Sequence, residues 1–61
     1  MIDLKPGVEY RITNREDPSW VIEGVKYADD NDNGKPTFYG HGGNQQFTWE
    51  DLESRWIVEE A

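Results

Sequence analysis

The segment DDNDNG, from Asp29 to Gly34, has residue types and spacing that could bind a calcium ion. Asp29, Asn31 and Asn33 alternate with other residues before a glycine, as in the first half of the calcium-loop pattern. In such loops, oxygen atoms from alternate residues coordinate the ion, and a bidentate glutamate at the twelfth position completes the site. That position holds Gly40 here, and the preceding segment reads as a strand rather than a helix. We therefore predict a polar hairpin tip and no bound metal ion or cofactor.

His41 is the second candidate for chemistry. Zinc sites need several histidine or cysteine ligands, and the sequence has no cysteine and no other histidine. A nucleophile–base pair would need Ser19, Ser54 or a threonine beside the ring, with an acid to orient it. The glycines around His41 do not follow a phosphate-loop pattern. We therefore expect a turn or strand-end histidine, no catalytic residue and a protein that is not an enzyme.

Aromatic side chains make up 13% of the chain, which is more than one small core can hide completely. Phe38 and Tyr39 are consecutive in a predicted strand, so they point to opposite faces and one must lie outward or at an end of the fold. Exposed rings can stack bases or hold a cationic group, and they can also simply cap a core with their polar tips in water. We predict that Tyr39 contributes to partner binding.

Acidic residues outnumber basic ones by thirteen to six and give a net charge of −7. Nucleic-acid backbones and anionic membranes repel such a chain, and the basic residues form no run, so we expect neither as a partner. Several acids lie close together near the C-terminus, where they could attract a basic protein or merely solvate the surface. The acids that we predict to bind a protein partner are Glu50, Asp51, Glu53 and Glu59.

The hydrophobic pattern predicts a single, mainly β domain over residues 1–61. Residues 8–13 alternate apolar and polar types, and residues 20–28 are rich in β-branched and aromatic types, so both segments read as strands. Two shorter strands are predicted over 37–41 and 45–49, with a tight turn at 42–44 between them. Gly24 breaks the alternation of the second strand, putting Ile22 and Val25 in opposite phases, and this predicts a β-bulge or a bend.

The tail from Thr48 to Ala61 has two interpretations. In the favoured one, residues 48–53 form a helical turn and RWIVE forms a fifth strand, because these residue types favour strands. Glu59 and Glu60 would also oppose the dipole at the end of a helix. In the alternative, apolar residues at i, i+3, i+7 and i+8 form one stripe of a C-terminal helix that packs on a four-stranded sheet.

A meander of four strands, a helical turn and a closing strand resembles the small SH3-like barrels, including Tudor-like modules. The resemblance rests on the strand spacing, the glycine-containing second strand and the TWEDLESRWIV turn before the last strand. It implies a five-stranded SH3-like barrel. The ligand-binding signatures of eukaryotic SH3 domains are missing, so the resemblance transfers no site residues. The chain is also similar in style to short accessory proteins of bacteriophages and bacteria.

Two functions fit these features. The first is an acidic protein-interaction module that binds a basic or extended protein partner, for example a phage accessory protein that inhibits a host protein by imitating nucleic-acid charge. The alternative is a module whose aromatic notch reads a cationic ligand or a peptide. The start of the chain does not resemble a signal peptide and no apolar run has the length of a membrane helix, so we expect a cytoplasmic protein.

Overall fold

The computed structural model describes residues 3–30, 34–40 and 42–61, which form five antiparallel strands in one open sheet and a short helix. The order of strands across the sheet is β4-β3-β2-β1-β5. None of the helices in this described part is long and apolar enough to cross a membrane. The elements are β1 (Glu9–Asn14), β2 (Val21–Asp30), β3 (Pro36–Gly40), β4 (Gly43–Gln46), α1 (Trp49–Ser54) and β5 (Trp56–Glu60).

The tail is a short helix followed by a strand, and the alternative of a continuous C-terminal helix is wrong. The hydroxyl of Thr48 caps the start of α1 by accepting a hydrogen bond from the N–H of Asp51 at 3.0 Å. The helix ends at Ser54, and every residue of β5 pairs with β1. The strand is favoured because it completes the hydrogen bonding along β1, whose edge a helix would have left unpaired.

Gly24 lies at a β-bulge, as the break in alternation predicted. Tyr10 pairs with Val25 and Ile12 pairs with Ile22, so β1 advances by two residues where β2 advances by three. The extra residue places Ile22 and Val25 on the same face, and both pack in the core. The opposite phases of these two residues in the sequence are therefore explained by the bulge, because the inserted residue returns both side chains to one face. Gly24 has a φ of 70°, which glycine adopts without steric cost.

Phe38 is the centre of the core and is completely buried in β3. Its ring lies 6.1 Å from that of Tyr10, 5.5 Å from that of Tyr27 and 5.8 Å from that of Phe47. The rings of Tyr10 and Phe47 meet that of Phe38 edge-to-face, at 83° and 77°, which is an arrangement that their quadrupoles favour, and the ring of Tyr27 is tilted at 52°. Tyr39 is 42% exposed, which confirms that the two consecutive rings point to opposite faces. The other buried hydrophobic residues are Ile12, Val25, Leu52 and Trp56.

The fourth strand lies earlier in the chain than predicted. Gly43 pairs with Gly40, so Gly43 and Asn44 belong to β4 rather than to a turn. The strand ends at Gln46 because Phe47 packs against the core and the next residue caps α1. The polar hairpin tip predicted over 29–34 begins later than expected, because β2 continues to Asp30, and residues 31–33 and His41 lie outside the described residues.

Phe38→Ala is expected to unfold the protein. Truncating a buried phenylalanine costs about 3–5 kcal/mol, which matches the net stability of about 3–5 kcal/mol that so small a core supplies. Tyr39→Ala is the matched control, because it removes an exposed ring from the next residue and should change stability by only about 0.5 kcal/mol. Thermal melts followed by circular dichroism measure both. A cooperative melt of Phe38→Ala near the parent temperature would contradict the central role of this ring.

Gly40→Ala is expected to destabilise the sheet by about 1–3 kcal/mol. A Cβ at Gly40 would lie 2.8 Å from the carbonyl oxygen of Gly24, and its φ of 146° is one that other residues rarely adopt. Gly43→Ala is the control, since a Cβ there meets no atom within 4 Å. That variant should be as stable as the parent or slightly more stable. Urea denaturation compares the two, and equal midpoints would argue against the close approach of β2 and β3.

Candidate functional site

An open groove of about 400 Å³ lies where β5 begins, and its wall is formed by Trp20, Phe47 and Trp56. We call it the aromatic groove. The rings of Trp20 and Trp56 meet at 5.1 Å and 78°, and those of Trp56 and Phe47 meet at 5.4 Å and 69°. Trp56 is only 9% exposed, whereas Trp20 is 55% exposed. The groove therefore presents a tryptophan to solvent that is packed edge-to-face against a buried one.

Hydrogen bonds within the loop between β1 and β2 hold Trp20 in position. The Oδ1 atom of Asn14 accepts from the backbone N–H groups of Glu16 at 2.9 Å and Asp17 at 3.0 Å. Asp17 in turn accepts from the N–H and the hydroxyl of Ser19. The N–H of Trp20 donates to the carbonyl of Asp17, and its carbonyl accepts from the N–H of Asn14. Because the loop is already ordered, binding at Trp20 would cost little conformational entropy.

Polar side chains of both charge signs surround the aromatic wall. Asp51 and Arg55 form an ion pair of 3.5 Å between residues one helical turn apart, and both side chains are largely exposed. Exposed pairs of this kind contribute little to stability, so either partner can exchange the contact for one with a ligand. The remaining polar residues at the groove are Asn14, Lys35, Gln46 and Thr48. The groove therefore offers hydrogen-bond donors and acceptors of both charge signs beside apolar rings.

The four predicted acids lie in two parts of the structure. Glu50, Asp51 and Glu53 belong to α1, and Glu59 belongs to β5. Asp51 is the member of this set that lines the aromatic groove. Glu50 and Glu53 are exposed and lie three residues apart, so they are neighbours on the helix surface. The carboxylate of Glu59 lies 3.6 Å from the guanidinium of Arg11, which offsets its charge locally.

Tyr39 lies on the outer face of the sheet, where it pairs with Lys26 of β2 and Asn44 of β4. Two strands, β2 and β1, separate its strand from β5. At about 4.8 Å for each strand spacing, Tyr39 and Glu59 belong to strands about 14 Å apart along the sheet. The structure therefore brings the three helix acids together and places Tyr39 in a different part of the surface.

Sequence reasoning expected an aromatic notch but did not identify Asn14, Trp20 and Arg55 as parts of it. One usable signal was the position of Trp20 directly after the polar turn NREDPS, because a tryptophan there borders a loop at the end of a strand. The other two residues offered no such signal. They reach the groove through the pairing of Asn14 with Trp56, which is a contact between distant parts of the chain.

The chain matches no protein-family model, no curated protein and no solved structure.

Proposed function

We propose that this protein is a small protein-interaction module with an SH3-like barrel architecture, without enzymatic activity, that binds a basic and extended segment of a partner protein at the aromatic groove. The observation that carries the proposal is the exposure of Trp20, which is 55% accessible although its ring packs on Trp56 and its backbone is hydrogen-bonded within its loop. Tryptophan is enriched among the residues that dominate binding energy at protein interfaces. A rigid, exposed tryptophan beside polar groups has the properties of such an anchor.

Two features support the barrel architecture. The strand order β4-β3-β2-β1-β5, with a helical turn before the last strand, keeps the meander of four strands and the closing strand on which the resemblance to an SH3-like barrel rests. Phe47 directly follows β4 and Trp56 begins β5, and their rings are in contact. This contact joins the residue after β4 to the first residue of β5, as closure of a barrel at this end would require.

The charge distribution supports a basic partner. The chain carries a net charge of −7, Glu50 and Glu53 are exposed on α1, and Asp51 borders the aromatic groove. Charges within about 8 Å of one another add their fields at physiological salt, and such a patch accelerates encounter with a basic segment. Lys35 and Arg55 also line the groove. We therefore propose that the acids attract the basic segment at long range and do not hold a single cation deep in the groove.

A second function is favoured by the position of Asp51 at the same groove as the exposed Trp20. A cationic group can bind over the face of a tryptophan, and a nearby carboxylate strengthens the attraction. In this second function, the aromatic groove binds a small cationic ligand or a single cationic side chain of a peptide.

Selection of peptides tests the role of the groove. Random peptides displayed on phage would be selected against the parent protein, and binding of labelled synthetic copies would be measured by fluorescence anisotropy. Trp20→Ala should weaken binding by about 2 kcal/mol or more, roughly thirtyfold, because an anchor ring is lost. Tyr39→Ala is the matched control, since it removes an exposed ring outside the groove and should leave the affinity unchanged.

The outcomes separate the proposals. If no selected peptide depends on Trp20, the groove is not the binding site. Loss of binding in Tyr39→Ala alone would move the site to the outer face of the sheet. Displacement of a bound peptide by tetramethylammonium would support the cation-binding version.

Charge reversal tests the role of the helix acids. The double variant Glu50→Lys, Glu53→Lys should slow association with a selected basic peptide by about tenfold at low salt, with a smaller effect on dissociation. The difference should shrink as salt rises. The control is Glu23→Lys, Glu60→Lys, which changes the net charge equally but at a depression beside Arg11 that is separate from the groove. Equal slowing by both double variants would show that only net charge matters.

A further inference from the structure

We propose that the partner segment pairs with the outer edge of β4 as a sixth strand and enters the aromatic groove at the end of that strand. The proposal rests on the proposed function, because the occupant is the same basic, extended segment. Within the described ranges, β4 lies at one side of the sheet and pairs with β3 alone. All four of its residues are exposed, so its outer edge is open to a further chain.

The hydrogen bonding of β4 defines which backbone groups the edge offers. The N–H of Phe47 donates to the carbonyl of Pro36 at 3.1 Å. Residues of an antiparallel strand alternate between bonding to one neighbour and pointing to the other side. Gln45 therefore bonds toward β3, while the N–H and carbonyl groups of Asn44 and Gln46 point away from it. These four groups have the spacing that an added strand requires.

The edge of β4 lacks the usual protection against pairing. Proteins block edge strands with charged side chains, prolines or bulges, whereas β4 reads GNQQ and pairs in regular register with β3. The outer strand on the other side, β5, ends in Glu59 and Glu60. Gln45 pairs with the completely buried Phe38 and so lies on the same face of the sheet, but it is itself exposed. The surface beside Gln45 is therefore open to a side chain of the partner.

The edge of β4 is continuous with the aromatic groove. Gln46 is the last residue of β4 and also lines the groove, and Phe47 forms part of the groove wall. A segment paired with the four residues of β4 spans about 13 Å and then reaches this wall. A large side chain at its end would pack on Trp20. The edge and the groove thus form one surface that an extended chain can follow.

The net charge of the chain and the small area of the β4 edge favour a segment of a partner protein at this edge, rather than a second copy of this chain. A second copy would also carry a charge of −7 and be repelled, whereas a basic segment is attracted. Neither β3 nor β4 contains a charged residue, so a basic strand meets no like charge along the edge itself, although Lys35 and Arg55 line the groove that it enters. Two four-residue strands alone would also bury far less than the roughly 1,200 Å² of a stable protein interface.

Asn44→Pro tests the added strand with a peptide selected as described above. Proline removes the outward N–H of residue 44 and leaves the bonds from Gly43 and Gln45 to β3 in place, and edge strands tolerate it. We expect the affinity to fall about tenfold. Asn44→Ala removes the side chain and keeps the N–H, so the affinity that Asn44→Pro loses beyond it is due to the backbone group. Thermal melts of both variants establish that they are folded.

Amide hydrogen exchange of the parent protein provides a second measurement that does not depend on a proline variant. Binding of the peptide should slow exchange at Asn44 and Gln46 by about tenfold or more, because their N–H groups become hydrogen-bonded. The amides of Gly43 and Gln45 already bond to β3 and should change less. Protection at both outward amides, together with the loss of affinity in Asn44→Pro, supports the sixth strand.

The remaining outcomes overturn the inference in distinguishable ways. If peptide binding depends on Trp20 while Asn44→Pro binds normally and the amides of Asn44 and Gln46 stay unprotected, the groove stands and the added strand is wrong. Protection at Val58 and Glu60 instead would place the strand on β5. Protection that appears without peptide, with a dimer in sedimentation, would make a second copy the occupant. Absence of any Trp20-dependent peptide removes the proposed function and this inference together.

Discussion

The ring contacts of Phe38 are the interaction on which the other parts of this structure depend. The chain has no cysteine and only 34% hydrophobic residues, so large rings supply most of the area that the core buries. Phe38 in β3 contacts Tyr10 of β1, Tyr27 of β2 and Phe47 after β4. One side chain thereby joins four segments of the chain, and Phe47 extends the cluster to Trp56 at the start of β5.

Two glycines let the sheet bend around these rings. The bulge at Gly24 brings Ile22 and Val25 to one face, and Gly40 allows β3 to approach the backbone of β2 more closely than any residue with a Cβ could. The bulge also matters for the groove. Trp20 precedes Ile22 by two residues and so lies on the core side of the sheet, at its end, against Trp56. Backbone geometry in the second strand thus connects core packing with the exposed ring.

The aromatic contacts form a path from the centre of the protein to its surface. The path runs from Phe38, which is 0% exposed, through Phe47 and Trp56 to Trp20, which is 55% exposed, and each ring packs on the next. The same contacts that stabilise the fold therefore orient the ring that we propose as an anchor. A binding surface of this kind needs no flexible lid, because its shape is set by the core. The open edge of β4 begins where this path reaches the groove.

The sequence by itself determined the mainly β class, the first two strands, the bulge at Gly24 and the opposite directions of Phe38 and Tyr39, because these follow from local periodicity and backbone preferences. It favoured a helical turn and a fifth strand without excluding a helix, since the spacing of the apolar residues in the tail fits both a strand and a helix. Only the tertiary structure decided between them, because the strand depends on hydrogen bonds to β1, more than 40 residues away in the chain. The end of β4 at Gln46 and the meeting of Asn14, Trp20 and Arg55 at one groove were decided in the same way. Local residue preferences do not encode which distant strand a segment will pair with, and it is this pairing that places side chains beside one another.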